Sequence, residues 1–182
     1  MKKIYIVRHC EAEGQEADAT LTENGFEQAL KLSEFFSDVP IDRIISSPYL
    51  RAIESIRPLA KRLDKEIEMD QRLTERILSS NEFSDWYEKL RATFQDFELM
   101  YEGGESSNEA MQRIVNVAKE MIRSDADNTV IVTHGNLMSL LLNYYDKRFG
   151  LAAWNNLSNP DVFLLKVEYA HATFERLWRQ EN

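Results

Sequence analysis

Two stretches of the chain end an apolar run in a histidine: IYIVRH at residues 4–9 and VIVTHG at residues 130–135. Each reads as a strand buried on both faces, because β-branched and aromatic residues fill it, and each turns polar where the strand must stop. In open α/β sheets a ligand binds beyond the carboxyl ends of the strands, where the strand order reverses. If the two strands are parallel neighbours, His9 and His134 face each other across one crevice. A third stretch, SSPYLRA at 46–52, brings Arg51 to the same rim from the first turn of a helix. With Arg8 beside His9, the crevice gathers two guanidinium groups and two imidazoles. Such a set suits an anion. A phosphoryl group fits it: arginine forks bind its oxygens in pairs, and an imidazole nitrogen can attack phosphorus.

The elements that must position these residues alternate between strand and helix. Residues 2–7 form the first strand, and LTENGFEQALKLSEFF (21–36) reads as a helix with Thr22 as N-cap. Phe26, Ala29, Leu30, Phe35 and Phe36 recur near helical spacing and make its expected apolar face. Residues 41–47 are a short strand closed by Pro48, 49–63 a helix kinked at Pro58, and 66–69 a brief strand. Over 81–97, Phe83, Trp86, Tyr87, Leu90, Phe94 and Phe97 share one helical face, expected to pack in the core or to roof the crevice. Ser106 with Glu109 fits a capping box opening a helix to about Arg123. Residues 128–133 are another strand, Gly135 starts a helix, and 161–168 with 173–178 make a terminal hairpin. This alternation predicts a three-layer α/β/α sandwich with a mixed, mostly parallel central sheet, in one domain over residues 1–182.

Composition narrows the partners. The net charge of −9 gives a long-range field that repels nucleic acid and anionic membranes, so a small anion must rely on cations gathered locally. One cysteine cannot form an intramolecular disulfide, which fits a reducing, cytoplasmic setting. The apolar run after Lys3 is too short for a signal-peptide core, and LMSLLLNYY at 137–145 is too short to span a bilayer. Neither nucleic acid nor membrane is expected as a partner.

The chain resembles the histidine phosphatase superfamily, the group that holds cofactor-dependent phosphoglycerate mutases and many small-molecule phosphatases. The resemblance covers roughly residues 3–142 and rests on VRHCEAEG, LTENGFEQA, SSPYLRAIES, GGES and VTHGN, which occur in family order. It implies that His9 is the nucleophile that becomes phosphohistidine, with Arg8, Arg51 and His134 holding the phosphoryl oxygens. Glu75, in RLTERI, stands where the family places its general acid. Gln15 stands where the family often has a phosphate-touching Asn. Cationic side chains take the place of a metal, so the resemblance implies neither metal nor cofactor. Cys10 departs from the usual glycine and requires a backbone conformation that a side chain tolerates.

Competing readings accompany these assignments. Cys10 is a packed small side chain, or a redox switch if neighbouring cations make its thiol acidic. Glu11 is expected to orient a neighbour, and Glu105 to favour a helix start; both compete with Glu75 as acid. His171 reads as a turn residue, and Arg57 and Arg76 as solvated charges, either of which could reach a second acidic group on a substrate. The leading function is a phosphomonoester hydrolase acting on a small phosphorylated metabolite through a phosphohistidine. A phosphoglycerate mutase shares the same pocket, but the compact stretch between Glu75 and His134 resembles the phosphatases. A non-catalytic phospholigand-binding protein is the alternative from another class.

Overall fold

The computed structural model describes residues 1–179; residues 180–182, the end of the expected 1–182 domain, lie outside the described residues. Six strands form one sheet: β1 (Lys2–Arg8), β2 (Arg43–Ser46), β3 (Ile67–Met69), β4 (Asn128–Thr133), β5 (Asp161–Glu168) and β6 (His171–Arg176). Their spatial order is β3-β2-β4-β1-β5-β6. The first four are parallel, and β5 and β6 run antiparallel as the expected hairpin. The mixed, mostly parallel sheet is therefore as expected.

The central strands are buried on both faces, and the period of two along each sorts its residues. Ile4, Ile6, Ile131, Phe163 and Leu165 face the layer of α4 (Ser107–Arg123) and α5 (Gly135–Tyr145). Tyr5, Val7, Val130, Val132 and Val162 face the layer of α1 (Glu23–Phe35) and α2 (Leu50–Leu63). That double burial explains the nearly continuous apolar runs in β1 and β4. A fully buried Ile of this kind contributes about 1.5–3 kcal/mol relative to exposure.

Several expected details hold at the residue level. Thr22 caps α1, its hydroxyl accepting from the Gly25 amide at 2.9 Å. Ser106 and Glu109 form the reciprocal capping box of α4. The α2 helix continues through Pro58 and ends at Asp64, whose φ of 52° makes a left-handed cap.

Other details differ. The buried face of α1 is Gly25, Ala29, Leu32 and Ser33, while Phe26 and Leu30 are 46% and 64% exposed. Gly25 sets this rotation: a Cβ there would stand 2.1 Å from the Glu11 carbonyl oxygen, so the helix turns its one bare position toward the loop after β1. The expected helix over 81–97 shortens to α3 (Trp86–Gln95), whose buried residues are Leu90 and Thr93. Its aromatics do not enter the core. Trp86 is 52% exposed, and Tyr87 and Phe94 face Trp154 of α6 (Leu151–Asn155), a short helix with no signal in the sequence pattern. His171 is not in the turn but opens β6, paired with Glu168. None of the described helices is long and apolar enough to cross a membrane.

Candidate active site

Parallel pairing of β1 with β4 sets Arg8 opposite Thr133, and the His9 amide donates to the Thr133 carbonyl at 3.1 Å. The next residue on each strand is then a histidine, and the two imidazole centroids lie 5.1 Å apart. Strand β2 lies on the other side of β4, so its end, Ser47, and the first turn of α2 reach the same edge. The crevice expected from three separate stretches is one place in the fold. It lies where the chain leaves β1 for α1 on one face and β4 for α5 on the other.

His9 is held in one orientation. Its Nδ1 lies 2.6 Å from the carbonyl oxygen of Cys10, so it carries the ring proton and donates it there. The lone pair is thereby left on Nε2, which accepts from Nε of Arg51 at 3.3 Å. Burial first, then the charges of Arg51 and Arg8, push the His9 pKa down to about 3, against the opposing hydrogen bond to Cys10. The ring is neutral and nucleophilic at ordinary pH. The Asn159 side chain donates to the His9 carbonyl at 2.9 Å and fixes the backbone beneath it.

His134 is fully buried, and burial followed by the charges of the neighbouring cationic groups holds its pKa well below the usual imidazole value. Its Nε2 lies 2.8 Å from the Ser47 hydroxyl. With Ser47 donating, the proton of the neutral ring sits on Nδ1, a buried atom without a protein partner. Tyr49 packs edge-on against this ring at 5.1 Å between centroids, and the Arg51 guanidinium lies over the Tyr49 face at 5.1 Å.

Arg51 is 1% exposed, and its Nη1 donates to the carbonyls of Gln15 and Glu16 at 3.1 and 2.8 Å. Arg8 makes a long bond of 3.4 Å to the Ser158 carbonyl, and its buried Nε has no partner in the protein. Burial lowers the pKa of both guanidiniums, opposed chiefly by the nearby charge of Glu75. They remain cations. The buried Nε of Arg8 and Nδ1 of His134, both without a protein partner, lie near the His9 imidazole, an arrangement with the charge and donors that suit a tetrahedral anion.

Gly135 makes room for it. A Cβ there would lie 2.9 Å from Nε and 3.0 Å from Cζ of Arg8. Gly135→Ala should displace the guanidinium and weaken vanadate binding by roughly 10- to 100-fold, the range for losing one charge-assisted hydrogen bond. Inhibition titration reads this directly, and unchanged vanadate affinity would count against Arg8 as an anion ligand.

Glu75 follows the 3₁₀ turn Gln71–Leu73. Its carboxylate accepts from the amides of Asn136 and Leu137 at 3.0 and 2.9 Å, in the first turn of α5, and from the Arg76 amide at 2.7 Å. A carboxylate is favourable at a helix N-terminus. Each oxygen has two acceptor sites, so the clamp leaves room to share a proton with a substrate. The competing carboxylates are engaged elsewhere. Glu11 is exposed and accepts from Thr22 and Asn24, orienting the start of α1 as expected. Glu105 pairs with Arg113 at 2.8 Å.

Gln15 lies exposed at the rim. It meets the site through its carbonyl oxygen, and its amide makes no hydrogen bond among the described residues. Cys10 is fully buried, its amide donates to Ser55 at 2.8 Å, and burial pushes its thiol up to about 12. The redox-switch reading is therefore overturned, because it needs an acidic, accessible thiol. Its φ is not positive, as a residue with a Cβ requires. Arg76 also corrects its expectation: only 5% exposed, it bonds the Glu105 carbonyl, Thr93 and Ser107.

The sequence reading missed Ser47, Ser55 and Asn159. Ser47 carried a signal, since SS ends the apolar run of β2 much as RH and TH end the other two. Asn159 carried none.

The two buried, neutral imidazoles make stability depend on acid. Their folded pKa values lie below the ordinary 6.5, so the unfolded chain binds more protons as pH falls below about 6.5. Stability is then lost progressively with acid, at up to about 1.4 kcal/mol per pH unit for each ring. The urea midpoint should fall between pH 7 and pH 5, and a midpoint constant over that range would contradict neutral burial.

A family model matches residues 4–180: the histidine phosphatase superfamily (branch 1). The chain belongs to this superfamily. A relative from Hydrogenobacter thermophilus named "Putative phosphoserine phosphatase 2" is 28% identical over 158 residues, covering 78% of this chain and 77% of that protein. A Salmonella paratyphi A relative named "Probable phosphoglycerate mutase GpmB" is 26% identical over 172 residues, covering 85% and 78%. Among solved structures, a mycobacterial glucosyl-3-phosphoglycerate phosphatase with inorganic phosphate superposes with a TM-score of 0.78 at 22% identity, covering 98% of this chain and 96% of that one. The alpha-ribazole phosphatase of Shigella flexneri gives 0.77 at 20% identity, covering 96% and 95%. These structural likenesses show the fold.

Proposed function

We propose that the chain is a phosphomonoester hydrolase that passes a phosphoryl group through His9. The observation that carries this reading is the fixed tautomer: Nδ1 is bonded to the Cys10 carbonyl, which aims the Nε2 lone pair into a pocket shared with Arg8, Arg51 and His134. In the first step His9 Nε2 attacks phosphorus, the bond to the ester oxygen breaks, and that oxygen takes a proton from Glu75. In the second, Glu75 takes a proton from water as the water oxygen attacks, the P–N bond breaks, and inorganic phosphate leaves. Arg8, Arg51 and the His134 Nδ1 proton stabilise the equatorial oxygens throughout, with Gln15 as an additional rim contact. Cations of the protein supply the charge that a metal supplies in other phosphatases, so activity should be independent of metal.

The substrate in this reading is a small phosphorylated metabolite in the cytoplasm. Residues 1–182 act as one domain, with 76–103 covering the crevice. Tyr87 helps to close that cover, its hydroxyl accepting from the Asn155 amide at 2.9 Å. The mutase alternative needs further cations for a substrate carboxylate. Arg76, next to Glu75 in sequence, and Arg113, bonded to its carbonyl, are engaged by protein partners instead.

An assay with a chromogenic phosphomonoester in the presence of EDTA tests the proposal. Release of phosphate is the expected result. Absence of turnover at any pH would favour a binding protein, and phosphate transfer to 3-phosphoglycerate primed by its bisphosphate would favour the mutase.

A further inference from the structure

Residues 74–85 form neither helix nor strand, yet this segment must hold the Glu75 carboxyl to within a fraction of an ångström for proton transfer. Irregular backbone cannot satisfy its own carbonyls and is fixed by whatever side chains reach it. Here one side chain reaches two of them and a third in the 3₁₀ turn just before. Nη1 of Arg113 donates to the carbonyls of Arg72 and Thr74, both at 2.7 Å, and Nη2 donates to that of Glu75 at 3.3 Å. The same guanidinium is gripped by Glu105, at 3.0 Å from Nε and 2.8 Å from Nη2. Glu105 in turn accepts from the Ile77 amide at 3.0 Å, and its backbone amide donates to the Ile77 carbonyl at 2.9 Å. The pair thus brackets Glu75 on both sides.

We propose that Arg113 is the positioning residue of the acid: its guanidinium, fixed by Glu105, gathers the backbone of residues 72–75 and sets where the Glu75 carboxyl stands. This rests on the reading of Glu75 as the proton donor. A rigid fork suits the task, since five donors in one plane can serve several carbonyls and a carboxylate at once. Placement on α4 suits it too, because the capping box fixes the start of that helix two turns before Arg113. Nothing here touches substrate, so the contribution passes entirely through Glu75.

Leaving-group dependence separates positioning from general destabilisation. An alkyl phosphate needs a proton on its departing oxygen, whereas 2,4-dinitrophenolate departs without one. The value of kcat/KM reports only the steps through transfer to His9, so slow breakdown of phosphohistidine does not disguise the comparison. Arg113→Met should lower kcat/KM for an alkyl phosphate by on the order of 10²-fold, and for 2,4-dinitrophenyl phosphate by no more than about threefold. Vanadate affinity should stay within about twofold of wild type, because the anion cradle is untouched. Equal losses on the two substrates, or none on either, would overturn the proposal.

Should Arg113→Met fail to fold, Arg113→Lys gives the same readout with a cation that reaches one carbonyl but cannot fork. Its ratio between the two substrates should shift in the same direction by a smaller factor, and an unshifted ratio would overturn the assignment. Glu75→Gln in parallel keeps the two readings apart. If Glu75→Gln shows the leaving-group dependence and the Arg113 variants do not, positioning by Arg113 is wrong while the acid stands. If Glu75→Gln shows none, the acid reading itself fails, and the proposal with it.

Discussion

His9→Ala should leave no measurable turnover, a loss of at least about 10⁴-fold in kcat, with no acid-labile phosphate on the protein. The size follows from the site. Among the described residues, no second nitrogen is placed to stand in for Nε2: His134 is the only other histidine in the crevice, and its own Nε2 is taken up by the Ser47 hydroxyl. The cradle itself should survive, because Arg8, Arg51 and His134 are placed by β1, α2 and β4 rather than by the His9 ring. Vanadate or phosphate should therefore still bind, more weakly. Steady-state rates alongside radiolabelled phosphate trapping measure both parts. Turnover within tenfold of wild type, or a label that persists, would remove His9 from the reaction.

Glu75→Gln should slow hydrolysis of an alkyl phosphate by roughly 10²–10⁴-fold while sparing phosphate binding. Two effects act together. The amide has no proton to give to a departing alkoxide. It also turns an NH₂ group toward the α5 amides, which the carboxylate meets with an acceptor at each oxygen, so one of the bonds from Asn136 or Leu137 is lost. Stopped-flow and steady-state rates on the same substrate give the factor. An unchanged rate would place the proton donor elsewhere, although Glu11 and Glu105 are bound to Thr22, Asn24 and Arg113.

The parts of the site legible in the sequence were those tied to strand ends. Buried parallel strands write themselves as apolar runs, and a polar residue at the end of such a run has few reasons to be there other than a ligand. Arg8, His9 and His134 announced themselves in that way. Arg51 followed because a helix must start after β2, and Thr22 and Ser106 because capping is local chemistry. Rotation of a helix about its axis is not local. The buried face of α1 is set by the contact of Gly25 with the Glu11 carbonyl, which periodicity alone cannot show, so Phe26 and Leu30 were assigned to the wrong side.

The same distinction accounts for the other differences. The aromatic stripe of α3 has the spacing of a core helix, but its partner is Trp154 on α6, a five-residue helix too short to leave a periodic trace. Arg76 read as a solvated charge, and Arg113 was not singled out at all. What made them structural was the irregular run between the 3₁₀ turn and α3, which Arg113 ties down by its Thr74 and Glu75 carbonyls and which Arg76 anchors to the Glu105 carbonyl. Cys10 near Arg8 looked electropositive in one dimension, yet in three dimensions it is fully buried in the core, and desolvation outweighs the opposing hydrogen bond to Ser55.

The most direct test of the account asks which atom carries the phosphoryl group. Rapid quenching of the enzyme with substrate, followed by peptide mass spectrometry and phosphorus NMR at alkaline pH, locates the modification and distinguishes the two ring nitrogens. Phosphohistidine at His9 on Nε2 is the expected result, because Nδ1 is bonded to the Cys10 carbonyl. Phosphate on Nδ1 of His9, on His134 or on a carboxylate, or turnover with no trapped intermediate at all, would contradict it.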